Sequence, residues 1–432
     1  MQDTSTIDID LSAIDHNMSV IRRTVGPGCA LCPIVKADAY GLGVARVARR
    51  LVGAGAQMLA VYSLRQAMET AAAVNGAVPV LVLMPVTTIA REDELVRLML
   101  AGQLHLVVHD EANLAALEAC AISLGVVLPV HVEVDVGMSR GGALPDEAVR
   151  IISKICQSPR FSLCGVFAHF SHARTDAALT ARQLESYDYV IAASRGFMSE
   201  QAFERLFQHV ASTYTLARDA RYHRTMVRFG VAWLGYGLDE LEASSPVIER
   251  AQLRPVVRWS TTIVQAKAIP AGAAVGYGGR WVAPRASTIA LIPVGYSDGY
   301  PMPRNPQASV GACVRLFMPD GRVAHAPVVG IVNMDQITVD VTGLHAGDIH
   351  DWIGCSVELI SRDIHAPTHL PRLAAESGMI PHELLTRLNP RIARTTSITA
   401  NVLSSATSGV MAGSISTDSA SSEAPRSASA VG

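Results

Sequence analysis

No apolar run in this chain reaches the roughly 20 residues that a membrane span needs. The opening Met1-Gln2-Asp3-Thr4-Ser5 also has neither a basic nor an apolar leader pattern. Both absences predict a cytoplasmic protein with no membrane partner. Cysteine is sparse and odd in number, seven in 432 residues, which argues against a disulfide framework. Cys29 and Cys32 have the spacing of half a zinc or redox motif, but no second pair follows. Cys32 falls inside an apolar run, so both read as core thiols. The histidines show no ligand spacing on one element, and no metal is expected. An excess of one charge is missing as well. A net formal charge of −2 offers no electrostatic case for a nucleic-acid partner. No Gly-x-Gly-x-x-Gly turn follows the first strand, which disfavours an open dinucleotide-binding sheet. No internal repeat exists beyond an alternation of strands and helices.

What is present is a large apolar fraction, 49%, in a chain long enough for two or more domains. Ile7-Asp8-Ile9-Asp10-Leu11 alternates as a half-buried strand does, and Ser12 is the expected cap of the helix that follows. From Ala30 to about Gly237, short apolar runs alternate with amphipathic segments. The runs are Met58–Tyr62, Val78–Leu83, Leu104–Val108, Val130–Val134, Leu163–Phe167 and Leu206–Val210. Glu92–Leu100 and Asp146–Ser153 are the clearest helices, the second with Pro145 at its start. That rhythm predicts an α/β fold with a (β/α)8 TIM-type barrel over residues 1–245, the first strand (about 6–11) being a candidate for the other domain. From 246 to 400 the sequence turns β-branched and glycine- and proline-divided, as in Pro255–Val264, Ser287–Val294 and Gly330-Ile331-Val332. A mainly β C-terminal domain follows from this. The Ser- and Ala-rich segment 401–432 cannot bury enough apolar surface to order and is expected as a disordered tail.

One stretch organises the rest. The apolar run Ala30 to Val35 meets Lys36 and then breaks at Gly41. A lysine at the end of a buried strand either bends out to water or sits desolvated, where its amine becomes a nucleophile toward an aldehyde. Val35-Lys36-Ala37-Asp38-Ala39-Tyr40-Gly41 resembles the pyridoxal phosphate lysine motif of the alanine racemase family (fold type III), and further segments match that family in order over roughly 6–395. The resemblance implies pyridoxal 5'-phosphate as cofactor, with Lys36 as its Schiff-base lysine. Tyr40, His169, His209, Thr213, Arg228, Gly230 and Val231 are implied as its neighbours: Tyr40, Thr213 and the backbone of Gly230 and Val231 at the phosphate, His169 behind the ring, Arg228 at the ring nitrogen. Tyr236 is a further pocket neighbour.

Arg228 bears on the reaction type. A guanidinium cannot take the proton that a carboxylate would share with the ring nitrogen. The ring then withdraws electrons less strongly, the carbanion is short-lived, and return of a proton to the α carbon is favoured over other fates. By resemblance the two bases are Lys36, acting on the D-isomer, and Tyr277 in Val275-Gly276-Tyr277-Gly278-Gly279, acting on the L-isomer. Arg140 is implied on the substrate side. Tyr296, Met334 and Asp335, with Tyr277, are implied to enter the partner subunit's site, which predicts a homodimer with shared sites and a small amino-acid substrate. The expected activity is interconversion of L- and D-alanine for peptidoglycan precursors. Serine or broad-specificity racemisation is the alternative, and a related decarboxylase, a cofactor-carrying regulatory protein or a barrel hydrolase are further rivals. Five positions depart from the family pattern: Leu42, Ser212, Glu133, Asn333 and His382. Glu133 stands where many members carry a carbamylated lysine and is expected to orient Arg140. Asn333 and His382 leave the substrate side chain open.

Overall fold

A computed structural model of the chain describes residues 5–398 except 240, 242, 244, 303–311 and 319. The expected tail at 401–432 lies outside the described residues. The first strand, β1 (Thr6–Asp10), leads into a helix, Leu11–Val25. Its cap is Asp10, not Ser12: the Asp10 carboxylate accepts from the backbone N–H of Ser12 and Ala13, so the helix starts two residues earlier than the sequence suggests.

Eight parallel strands then follow: β2 (Ala30–Pro33), β3 (Leu59–Val61), β4 (Val80–Val82), β5 (Leu104–Val108), β6 (Leu128–Val134), β7 (Phe161–Ala168), β8 (Phe207–His209) and β9 (Met226–Phe229). Strands β3 to β8 pair in sequence order, and β2 pairs with β9. Single bridges close the ring, Ile34 to Ala60 on one side and Ala211 to Val227 on the other. The result is a (β/α)8 barrel. The strands are nearly all buried because helices cover their outer faces, which is why they read as continuous apolar runs rather than alternating ones.

The C-terminal portion contributes β10 (Val257–Thr262), β11 (Gln265–Ile269), β12 (Ala274–Val275), β13 (Trp281–Val282), β14 (Ser287–Ile292), β15 (Cys313–Phe317), β16 (Val323–Val329), β17 (Ile337–Asp340), β18 (Ser356–Ile360) and β19 (Ala393–Ser397). All but β12 and β13 join one nine-stranded sheet whose ninth member is β1, held antiparallel to β10 and parallel to β19. Gly330-Ile331-Val332, read from sequence as strand, lies past the end of β16 in a loop. Gly330 has φ 77°, and a Cβ there would lie 2.9 Å from the Val275 carbonyl, so the backbone turns where it crosses that strand.

Candidate active site

The carboxyl ends of the barrel strands open onto a cavity of about 950 Å³, the position at which barrels of this type carry their chemistry. Lys36 lines it, two residues after the Ile34 bridge. The chain then makes an uncommon left-handed turn: Ala37, Asp38, Ala39 and Tyr40 have φ of 53°, 55°, 53° and 58°. Each L-residue in that conformation costs about 1–2 kcal/mol, so the surroundings must enforce it. The Asp38 carboxylate accepts from the Val44 N–H at 2.6 Å, and its carbonyl accepts from Gly43 N–H at 3.0 Å. Arg394 donates to the Gly41 carbonyl at 3.1 Å, and a Cβ at Gly41 would press on the Leu385 carbonyl. The C-terminal segment thus clamps the turn that aims Lys36. Burial, and then the nearby Arg140 charge, lower the Lys36 amine's pKa, which raises its share of free base.

Arg228 reaches the same cavity from β9. It is buried, and its Nη2 donates to the Ala168 carbonyl at 2.9 Å while Nη1 donates to the His209 carbonyl at 2.6 Å and lies 2.5 Å from His209 Nδ1. His209 is fully buried one layer below and does not line the cavity; it reaches the site only through Arg228. His169, just past β7, lines the wall. Burial beside Arg228, Arg140 and Lys36 pushes its pKa down to about 3, so its ring is neutral at physiological pH.

Tyr40, Thr213, Gly230 and Val231 gather at one end of the cavity. A Cβ at Gly230 would collide with the Tyr40 hydroxyl, and Thr213 Oγ1 accepts from the Ala232 N–H at 3.3 Å. Tyr236, by contrast, is buried outside the cavity, its hydroxyl 3.5 Å from the Val257 carbonyl. Arg140 sits on the loop after β6, whose turn is held by the Asp135 carboxylate accepting from Gly137, Met138 and Ser139. Among the described residues Glu133 makes no hydrogen bond to Arg140. Its carboxylate lies 3.0 Å from His109 Nδ1, and Gly141 passes close over the pair. His109, a cavity residue the sequence did not single out, is thus the partner of that substitution. His382 packs edge-on against Tyr40 at 5.7 Å. Four cationic side chains (Lys36, Arg140, Arg174, Arg228) and two carboxylates (Asp110, Glu133) line the cavity, a balance suited to an anionic ligand.

The β-domain residues lie elsewhere. Tyr277 is 75% exposed in the turn between β12 and β13, Met334 56% and Tyr296 45%, and none lines the cavity of its own chain. Asp335 accepts from Ser297 Oγ at 2.8 Å and pairs with Arg391, which also binds Asp298. These contacts brace the Tyr296 and Met334 loops together as one projecting face.

Two family models match the chain, "Alanine racemase, N-terminal domain" over residues 9–237 and "Alanine racemase, C-terminal domain" over 256–396. The alanine racemase of Halothermothrix orenii is 32% identical over 388 residues, which is 90% of this chain and 95% of that one. That of Desulfovibrio desulfuricans is also 32% identical, covering 90% and 96%. Among solved structures, alanine racemase from Streptomyces coelicolor A3(2) superposes with a TM-score of 0.77 at 26% identity, covering 91% of this chain and 98% of that one. Alanine racemase from E. faecalis gives 0.76 at 26%, with the same coverage.

Proposed function

The chain belongs to the alanine racemase family, and from that premise we propose that it interconverts L- and D-alanine with two bases, Lys36 and Tyr277. The observation that carries the reading is a lysine with a depressed pKa facing a buried arginine across one cationic cavity. The residues present fit pyridoxal phosphate: the Gly230 backbone, which admits no Cβ beside Tyr40, and Thr213 suit a phosphate; His169 suits a ring face; Arg228 suits a ring nitrogen. Bound there, the cofactor supplies an aldehyde for the lysine and an electron-withdrawing ring that makes an α hydrogen removable.

The chain's own groups do the rest. Lys36 Nζ takes or returns a proton on one face of the α carbon, on the D-isomer. The partner subunit's Tyr277 does so on the other face, on the L-isomer. Arg228, a group with only donors, would face the ring nitrogen and could accept no proton from it. Arg140 steadies the substrate side from a loop whose next residue, Gly141, passes over the Glu133–His109 pair. The exposure of Tyr277, Tyr296 and Met334, with Asp335 beside them, supports a homodimer in which these residues complete the other subunit's site and narrow its entrance. We further propose residues 1–245 and 246–400 as the two functional halves, and cytoplasmic supply of D-alanine to peptidoglycan precursors as the role.

Borohydride treatment of the purified protein tests this. The expected result is a cofactor fixed covalently on Lys36, together with loss of optical rotation from L-alanine. A protein that never takes up the aldehyde overturns the reading. A second reading, serine as substrate, is favoured by one observation: among the described residues Asn333 Oδ1 and His382 Nδ1 are buried with no hydrogen-bond partner. Of the two only His382 lines the cavity of its own chain, where its Nδ1 could meet a substrate hydroxyl. A panel of L-amino acids decides it, and exclusive use of alanine removes this reading.

A further inference from the structure

Below the cavity, inside the barrel, three histidines stand in a row on three strands: His105 on β5, His131 on β6 and His209 on β8, all buried. Arg228 heads the row. His209 Nε2 lies 2.9 Å from His131 Nδ1, and His131 Nε2 lies 3.0 Å from His105 Nδ1. A guanidinium has only donors, so the proton positions along the row follow from its head. His209 Nδ1 must accept from Arg228, which puts its own proton on Nε2. His131 Nδ1 then accepts, and its proton is on Nε2 as well. His105 repeats the pattern, leaving its Nε2–H for the backbone of Gly102 at the foot of the barrel. Every lone pair in the row points toward Arg228.

Barrel interiors are ordinarily filled by branched apolar side chains, and here the backbone makes room for imidazoles. A Cβ at Gly165 would collide with His131 Nδ1, and the pairing of β6 with β7 shifts register between Val130 and His131. Phe207 stacks on His131 and Phe167 on His209, while the Arg228 guanidinium lies 4.6 Å over the Phe167 ring. Among the described residues no carboxylate pairs with Arg228 within 4 Å, and Glu133, on the same cavity, acts on its charge only from farther away. A buried cation without a directly paired carboxylate needs further compensation.

We infer that His209, His131 and His105 are positioning residues that act through Arg228: an aligned row of neutral imidazole dipoles holds the guanidinium charged and aimed at the cavity. A carboxylate could also hold it, but would bring a negative charge that favours a proton on the ring nitrogen. The row supplies negative dipole ends with no net charge. It is not a proton wire, because its head cannot accept a proton. The inference deepens the assignment of Arg228 to the ring nitrogen and rests on that reading.

Nitrogen NMR of the full-length chain with labelled histidine tests it directly. His105, His131 and His209 are expected as neutral Nε2–H tautomers, unchanged between about pH 6 and pH 9. An Nδ1–H tautomer at any of the three, or titration within that range, overturns the inference. A second arm measures pyruvate formed per alanine racemised, the side product that would arise if the amino group passed to the cofactor aldehyde and water supplied the keto oxygen. His131→Phe, which keeps volume but breaks the row, is expected to raise that ratio about tenfold. His131→Gln, whose amide offers one acceptor and one donor, should bring it back. Equal ratios in all three chains overturn the positioning role, and if His131→Phe does not fold, the tautomers decide alone. Failure to fix the cofactor on Lys36 would sink the functional reading instead, and leaves the tautomer result legible.

Discussion

The barrel mouth and the projecting face of the β domain are opposite in character. At the mouth, Lys36, His169 and Arg228 are packed into a concave wall, and burial lowers the pKa of each. On the β domain, Tyr277, Tyr296 and Met334 stand out into solvent, braced from behind by Arg391. One region is a concave pocket lined by Lys36; the other presents Tyr277, proposed above as the second base, with no pocket around it. The contrast teaches that Tyr277, Tyr296 and Met334 do not reach the cavity of their own chain, which is what the proposed shared-site dimer requires.

The sharpest way to break this comparison is at Lys36. Lys36→Ala should lower racemisation by 10⁴-fold or more, on the order of what removal of a covalent nucleophile costs, as measured by D-amino-acid formation. Retained turnover would show that the mouth is not where the chemistry happens. Next comes a mixing experiment. Tyr277→Phe should lose about 10²–10⁴-fold, the usual worth of a positioned acid or base. Co-refolding it in equal amounts with Lys36→Ala should restore about a quarter of normal activity, because half the dimers are mixed and each mixed dimer has one intact site. No recovery on mixing would place both bases in one chain's site. Glu133→Gln is smaller in effect: losing the charge opposite His109 should cost about tenfold in kcat/KM, and unchanged kinetics would remove the pair from the substrate side.

The smallest effect lies in acid stability. Burial lowers the His105 pKa to about 4, below its usual value of about 6.5. The unfolded chain therefore binds a proton that the folded chain refuses, and folded stability is lost as pH falls from about 6.5 toward 4. One such group contributes about 1.4 kcal/mol per pH unit in that window and nothing above it. His105→Leu should flatten the acid limb of the unfolding free energy by about that slope. An unaltered limb would mean that this imidazole is not held neutral.

Much of the site was legible in the sequence because chemistry and punctuation coincide there. Lys36 ends an apolar run and precedes Gly41, so a strand end and a turn marked it, whereas Arg228, ahead of Gly230, was marked by the family resemblance. The histidine row was not legible. His105 in Leu104-His105-Leu106 and His131 in Val130-His131-Val132 look like single polar interruptions of buried strands. Only the recurrence of such interruptions on several strands hinted that they share one layer of the barrel. The partner of Glu133 was missed for a related reason: His109 lies on β5's exit and Glu133 on β6, and nothing in either segment names the neighbour. The helix cap moved from Ser12 to Asp10 because two good cappers stand two residues apart, and only the backbone decides between them.

The turn from Ala37 to Tyr40 has the mirror-image backbone of an ordinary right-handed helix, so its two alanines occupy dihedral angles that suit residues of the opposite chirality. A chain made by ligation with D-alanine at 37 and 39 should fold more readily and melt higher than the natural one. By that measure the protein holds, in its own backbone, a place shaped for the enantiomer it is proposed to make.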